Sequence, residues 1–275
     1  MHKIPHSSSN AVLPDSTDSP GSPVMPVMPV MPVTPVMPPA PQGAGAGPIR
    51  ALAGGPDNGR QRLAVSARGR DWLIERGADL ETLWAGIGAD EFGADERAPY
   101  WAEIWPASLL LAEWLARRSG DIRGKACLDL GCGLGLTAII ASHLGARVVG
   151  LDYEFPALAF ARDNARLNNV PDPLWTHMDW RAPGFKPRAF DFMWGGDILY
   201  ERRFYEPLRA LFQTCLKPGG RVWLAEPRRS VSAPVWDELA AEGFAVRRVT
   251  TEPVPVEGYT VTVNLWELSP PAPAA

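Results

Sequence analysis

Hydrophobic and polar positions change rhythm several times along this chain, and from about Arg62 the changes become regular. RDWLIER (70–76) alternates with the period of a strand, and Asp79 stands where it can cap a helix through LETLWAGI, up to 87. Ser108 opens the stretch LLLAEWLARR, predicted as a helix with Leu111, Trp114 and Leu115 on one face. ACLDL (126–130) then reads as a buried strand, followed by a glycine turn and the helix LTAIIASHL. RVVGLD (147–152) is a second strand, and FPALAFARDNARLNN a helix behind it. PLWTHM (173–178) and AFDFMWGG (189–196) are the third and fourth strands, and Pro218-Gly219-Gly220 stops the helix FYEPLRALFQTCL. RVWLAE (221–226), FAVRRVT (244–250) and TVTVNLWEL (260–268) complete seven, with the helix VSAPVWDELAAEG between the fifth and sixth.

Strands alternating with helices predict an α/β fold: a Rossmann-like, mostly parallel seven-stranded sheet with helices on both faces. The closing strand pair makes the last strand antiparallel. Ligands of such sheets bind at the carboxyl ends of the strands, beside the point where strand order reverses.

The first sixty residues differ from all that follows. They hold 13 of the 29 prolines, including PVMPVMPVMPVTPVMPP, and then the run QGAGAGP. Proline at every third position favours extended polyproline II chain that buries too little apolar surface to fold. Residues 1–60 are therefore expected to be a disordered tail, 61–268 the folded domain (61–120 an extension, 121–268 the core), and 269–275 a short disordered end.

Composition narrows the function classes. A formal charge of −4 supplies no electrostatic basis for nucleic-acid binding, and only four of the 27 basic residues are lysines. Cys127, Cys132 and Cys215 form no even framework and share no metal-ligand spacing with the four histidines, so a reduced compartment and no metal site are expected. No apolar run reaches the roughly 18 residues of a membrane span, and no secretory signal opens the chain; the expected location is the cytoplasm.

Candidate chemistry gathers at the strand ends. LDLGCGLG sets Gly131, Gly133 and Gly135 directly after the first core strand, where a sharp turn lets a ligand lie on bare backbone. The spacing is G-x-G-x-G rather than the G-x-G-x-x-G of nicotinamide dehydrogenases, and Asp129 precedes it. A carboxylate there repels a pyrophosphate and attracts the ammonium of an amino-acid-like ligand. Asp152 closes the second strand, where an acid can accept hydrogen bonds from ribose hydroxyls. Asp179 follows the third, placed to accept from an adenine amino group, and Trp180 can cover the adenine face. One such aspartate alone would be a solvated strand end; three at successive ends argue against coincidence.

LDLGCGLG together with these acids resembles the first motif of class I, seven-strand, S-adenosylmethionine-dependent methyltransferases. GGDILYERRFYEP after the fourth strand contains D-x-x-Y, Asp197 to Tyr200, and PYWAEIWPAS (99–108) contains a W-P-A element. Both are similar to the family-16 lysine methyltransferase-like group, whose bacterial members are often described as nicotinamide N-methyltransferase-like. The resemblance covers Arg62 to the end. It implies S-adenosylmethionine as cofactor, with Trp105, Gly131, Gly133, Asp152, Trp180 and Gly196 lining the donor site. It also implies that Asp197 and Tyr200 face the acceptor, a protein lysine or a small amine such as a pyridine. A non-catalytic donor-binding module stays open as an alternative. Asp197 as a helix cap and Tyr200 as packing are the plainer readings of those two residues. For Arg202-Arg203 and Arg228-Arg229 a solvated surface ranks ahead of substrate attraction, and Tyr100 and Trp101 stay divided between core and cavity.

Overall fold

The computed structural model describes residues 48–53, 59–78, 82–83, 99–256 and 258–271. The polyproline segment, nearly all of the helix expected over 79–87, and residues 272–275 lie outside them. Ile49–Ala51 (β1), assigned to the tail by composition, instead pairs antiparallel with Gln61–Ala67 (β2). Arg70–Arg76 (β3), the strand expected from its alternation, pairs with β2 across a two-residue turn. Both turn residues are left-handed, Arg68 at φ 53° and Gly69 at φ 71°, as a tight hairpin with the native strand twist requires.

A second sheet forms the body. In chain order its elements are Pro106–Arg117 (α1), Ser119–Ile122 (α2), Ala126–Leu130 (β4), Leu136–His143 (α3), Arg147–Asp152 (β5), Phe155–Leu167 (α4) and Leu174–His177 (β6). Phe190–Gly196 (β7), Tyr205–Cys215 (α5), Leu216–Pro227 (β8), Val235–Ala241 (α6), Ala245–Val256 (β9) and Tyr259–Ser269 (β10) follow. The strand order is β6-β5-β4-β7-β8-β10-β9, parallel except for β10, which runs against both neighbours. Order reverses between β4 and β7, so the crevice for a ligand opens at their carboxyl ends.

Central strands are apolar throughout because both faces are covered. Met193 and Trp194, successive residues of β7, are fully buried on opposite faces: Met193 with Leu208 and Leu211 of α5, Trp194 with Leu111 and Leu115 of α1. Two elements depart from expectation. Helix α1 starts at Pro106, two residues early, because proline at the first helical position has the right φ and no amide proton to satisfy. Pro218-Gly219-Gly220 does follow the end of α5, yet it lies inside β8. Leu216 already pairs with Phe190, and the register shifts before Phe192 meets Arg221.

Helix α4 docks the N-terminal hairpin with two asparagines. Phe160, Asn164 and Asn168 recur every four residues and share one stripe. Asn164 accepts the Glu75 amide at 2.7 Å and returns its own amide to the Glu75 and Leu134 carbonyls at 3.1 Å each. Asn168 repeats the exchange with Leu73, at 3.0 and 2.7 Å. Leu73 and Glu75 are the alternate β3 residues whose peptide groups point away from β2, so the two side chains stand in for a missing strand. Asn164 is fully buried, and Asn164→Ala would strand up to three peptide groups, each costing about 1–3 kcal/mol. The expected loss is about 3 kcal/mol of unfolding free energy in urea; a change within experimental error would remove this role.

Candidate active site

After β4 the chain reverses through three left-handed glycines, Gly131 (φ 61°), Gly133 (φ 51°) and Gly135 (φ 88°), and enters α3. The three point to different neighbours. A side chain at Gly131 would put its Cβ 3.1 Å from Ile198 and 3.5 Å from the Trp180 ring. One at Gly133 would stand 3.2 Å from the Trp101 carbonyl oxygen, beneath the 3-10 turn Tyr100–Ala102. Gly135 backs onto α4, where a Cβ would meet Ala161 at 2.9 Å. Gly131 thus lets the turn pack against Ile198 and Trp180, Gly133 lets it pass close to the Trp101 main chain, and Gly135 brings α3 and α4 together.

Asp152 ends β5, 7% exposed, and its two oxygens accept the Gly133 amide at 2.8 Å and the Glu154 amide at 2.9 Å. Burial lifts its carboxyl to about 6 against the pull of those amides. Asp179 follows β6 and accepts both the amide and the Nε of Arg181, at 2.8 and 2.7 Å. Trp180 turns its ring toward Gly131, 3.5 Å from where a Cβ there would stand.

Asp129 is placed differently from the expectation of a ligand-facing acid. It is 1% exposed and accepts the Thr137 hydroxyl at 2.6 Å, so it ties β4 to the first turn of α3. Burial drives its carboxyl up to about 7, with Thr137 opposing. The folded state thus holds a proton that the unfolded chain releases, and the penalty grows from pH 4 to about 7 and is complete above it. Asp129→Asn should therefore stabilise the fold by roughly 1–3 kcal/mol at pH 8 and by less at pH 5. Urea unfolding at both values checks this; an equal effect at both would refute it.

A row of aromatic rings crosses the same end of the sheet. Trp105 donates its Nε1 to the Tyr100 carbonyl at 2.8 Å and lies edge-on to the Tyr100 ring at 5.9 Å. Tyr100 meets Tyr200 at 5.6 Å, Tyr200 meets Phe204 at 5.4 Å, and Phe204 meets Trp180 at 5.3 Å, all edge to face. The row links the two expected donor-side tryptophans through the expected acceptor-side tyrosine. Burial raises the Tyr200 phenol well above its ordinary range, so it stays neutral. Trp101 leaves the row and stacks on Phe160 of α4 at 5.9 Å. The pair left open by the sequence thus divides: Tyr100 borders the site and Trp101 packs against a helix.

Gly196 faces α1, where a Cβ would meet the Ser108 amide nitrogen at 3.2 Å. Asp197 follows with a left-handed backbone, φ 59°, a conformation that aspartate tolerates and most residues avoid. Its amide bonds the Ala225 carbonyl at 2.8 Å and its side chain is 5% exposed. It caps no helix: the 3-10 turn Arg202–Phe204 and α5 both begin without a side-chain cap. Instead its two oxygens take the fork of Arg229, Nε at 3.1 Å and Nη2 at 2.7 Å. Burial raises the carboxyl and Arg229 works against it. Arg229 therefore does not simply solvate a surface, whereas Arg202 and Arg203 pair with Glu238 and Glu201. Asp129, Asp152 and Asp197, all perturbed by burial, cluster at adjacent strand ends, as at many catalytic sites.

Among the described residues, no group of three or more histidine, cysteine, aspartate or glutamate side chains could hold a metal ion, and no helix is long and apolar enough to cross a membrane. The three cysteines are buried and unpaired.

Residues 127–220 match the family model described as a methyltransferase domain. Ribosomal protein L11 methyltransferase of Tolumonas auensis is 34% identical over 149 residues, 53% of this chain and 47% of that one. Electron transfer flavoprotein beta subunit lysine methyltransferase of Danio rerio is 34% identical over 135 residues, 48% and 51% of the two chains. This chain spans about half the length of these curated relatives. In fold it is similar to the YcgJ protein of Bacillus subtilis, with a TM-score of 0.52, 12% identity, and coverage of 58% of this chain and 98% of that one. The matched stretch runs from β4 into β8. The glycine turn, Asp152, Trp180 and Asp197 thus lie in the stretch that matches a methyltransferase domain.

Proposed function

We propose that this chain is an S-adenosylmethionine-dependent N-methyltransferase of the family-16 lysine methyltransferase-like group, acting on a lysine side chain of a protein. The observation that carries the reading is the meeting, at one reversal of strand order, of a left-handed glycine turn, the Asp152 carboxylate and the buried Asp197. The donor fits what is present. The Gly131–Gly135 turn stands where its amino-acid end would lie, Asp152 suits ribose hydroxyls, and Asp179 and Trp180 suit an adenine edge and face. Trp105 borders the same space through the aromatic row. When bound, S-adenosylmethionine supplies a methyl group already activated by a positively charged sulfur.

The chain's own work is alignment. A lysine must release a proton to water before its nitrogen can attack. Asp197 accepts a hydrogen bond from the resulting amine and aims its lone pair along the line of transfer. Tyr200 offers a neutral ring and hydroxyl to the methylated cation that forms. A protein acceptor is favoured because the two relatives are named for methylating ribosomal protein L11 and a flavoprotein subunit lysine.

Labelled donor incubated with the full chain and a cell extract, then separated by size, tests the reading. Label in a protein band that yields methyl-lysine on hydrolysis supports it. Label confined to small molecules replaces the acceptor with a small amine. Donor binding without transfer leaves a binding module and ends the proposal.

A further inference from the structure

Residues 228–234, beyond β8, are held by more polar contacts than a connecting loop needs. The Ser232 hydroxyl donates to the Glu226 carboxylate at 2.8 Å and is 3.2 Å from the Arg229 carbonyl. Glu226 is 3% exposed at the end of β8 and also accepts Asn264 at 3.0 Å and the Trp266 indole at 3.3 Å. Thr251 in turn bonds Asn264 at 2.8 Å. On the other side the Tyr205 hydroxyl donates to the Val231 carbonyl at 2.5 Å and also lies 3.4 Å from the Leu199 carbonyl. It thereby joins this loop to the one that carries Asp197 and Tyr200. A buried network with its members paired is stiff. What it holds in place is Arg229, whose fork takes both oxygens of Asp197.

We propose that Arg229 is a positioning residue for methyl transfer, holding Asp197 ionised and in one rotamer so that it receives the acceptor amine rather than a proton from solvent. The inference rests on the function proposed above. Backbone geometry leaves Asp197 little other means of orientation. Its left-handed main chain is pinned by the Ala225 carbonyl, and its side chain makes no other hydrogen bond among the described residues. A lone carboxyl this deeply buried takes up a proton, and a protonated carboxyl loses its power to align an amine. The guanidinium supplies the opposing charge, and its planar fork sets the angle as an ammonium cannot. Ser232, Glu226 and Asn264 act one step further out, by fixing the loop.

The test uses the full chain with Arg229→Gln and Arg229→Lys, labelled donor and an acceptor band from the extract. In Arg229→Gln turnover is expected to fall by roughly 100-fold, as for a misplaced catalytic group, with donor affinity within about twofold. The acid limb of its pH–turnover curve should move up by about one unit or more. Arg229→Lys should restore the limb, because the charge returns, but only part of the turnover, because the fork does not. Wild-type turnover in Arg229→Gln, an acid limb unmoved in Arg229→Gln, or a limb moved as far in Arg229→Lys as in Arg229→Gln, overturns the proposal. A second measurement needs no acceptor: carbon-13 NMR titration of the Asp197 carboxyl, identified by its absence in Asp197→Asn. If the wild type transfers no methyl group, the functional reading fails on its own. The titration then still decides whether Arg229 governs Asp197: a higher midpoint in Arg229→Gln supports that control, and an unchanged one overturns it.

Discussion

Asp197→Asn is expected to lower turnover by about 100-fold or more while leaving donor affinity within about twofold. Asparagine also tolerates the left-handed conformation at φ 59°, so the backbone should stay where the Ala225 carbonyl holds it. The amide keeps one oxygen for Arg229 but presents a donor where the second oxygen stood, and the negative charge is gone. An acceptor amine then meets a group that repels its N–H as readily as it orients it. Single-turnover rates and donor titration on the same preparation separate the two effects. Equal losses in both would place Asp197 in donor binding or in folding and remove it from the acceptor side.

Asp152→Ala should do the opposite, weakening donor binding by about 100-fold or more. Two hydrogen bonds to a charged acceptor are worth about 1.5–3 kcal/mol each, so that figure lies at the low end of the range. The substitution also frees the Gly133 amide and loosens the glycine turn. The wild-type carboxyl, lifted by burial to about 6, adds a pH signature. Above that value it is ionised and affinity is flat. Below it the carboxyl takes a proton, loses acceptor capacity, and affinity falls by at most about tenfold per pH unit. Asp152→Asn should flatten that limb. Calorimetric titration of the donor between pH 5 and 8 reads both features, and an unchanged limb in Asp152→Asn would assign it to another group.

The central strands were legible because both faces of the sheet are covered, so ACLDL, RVVGLD and AFDFMWGG stand out as continuous apolar runs. Asp152, Trp180 and Asp197 were legible because a strand's end fixes a residue's height in the fold. Direction was harder. Asp129 lies in the same alternate set of β4 as Cys127, which packs on the face bearing α3, whereas Leu128 and Leu130 face the other way. Strand parity, applied to that residue, predicts the inward turn toward Thr137. Strand β2 was missed although Leu63, Val65 and Ala67 alternate, because Arg68-Gly69 is a weaker turn signal than Asn-Gly or Asp-Gly. No local pattern reveals Arg229. Its partner lies 32 residues away, and only the pairing of β7 with β8 brings the two loops together. The asparagines of α4 are likewise ordinary helix-surface residues until β3 arrives beside them.

Those two asparagines also bear on how the protein behaves when crowded. An open flank on β3 would offer unpaired donors and acceptors at alternate residues, a template on which a second molecule could add its own strand. Asn164 and Asn168 consume those groups with side chains of the same chain, which no neighbour can displace without undoing α4. Self-association through this hairpin is thereby blocked by two amides rather than by the charges and prolines that usually guard a sheet's border. Loss of either should be felt as precipitation in concentrated solution as well as in dilute unfolding curves.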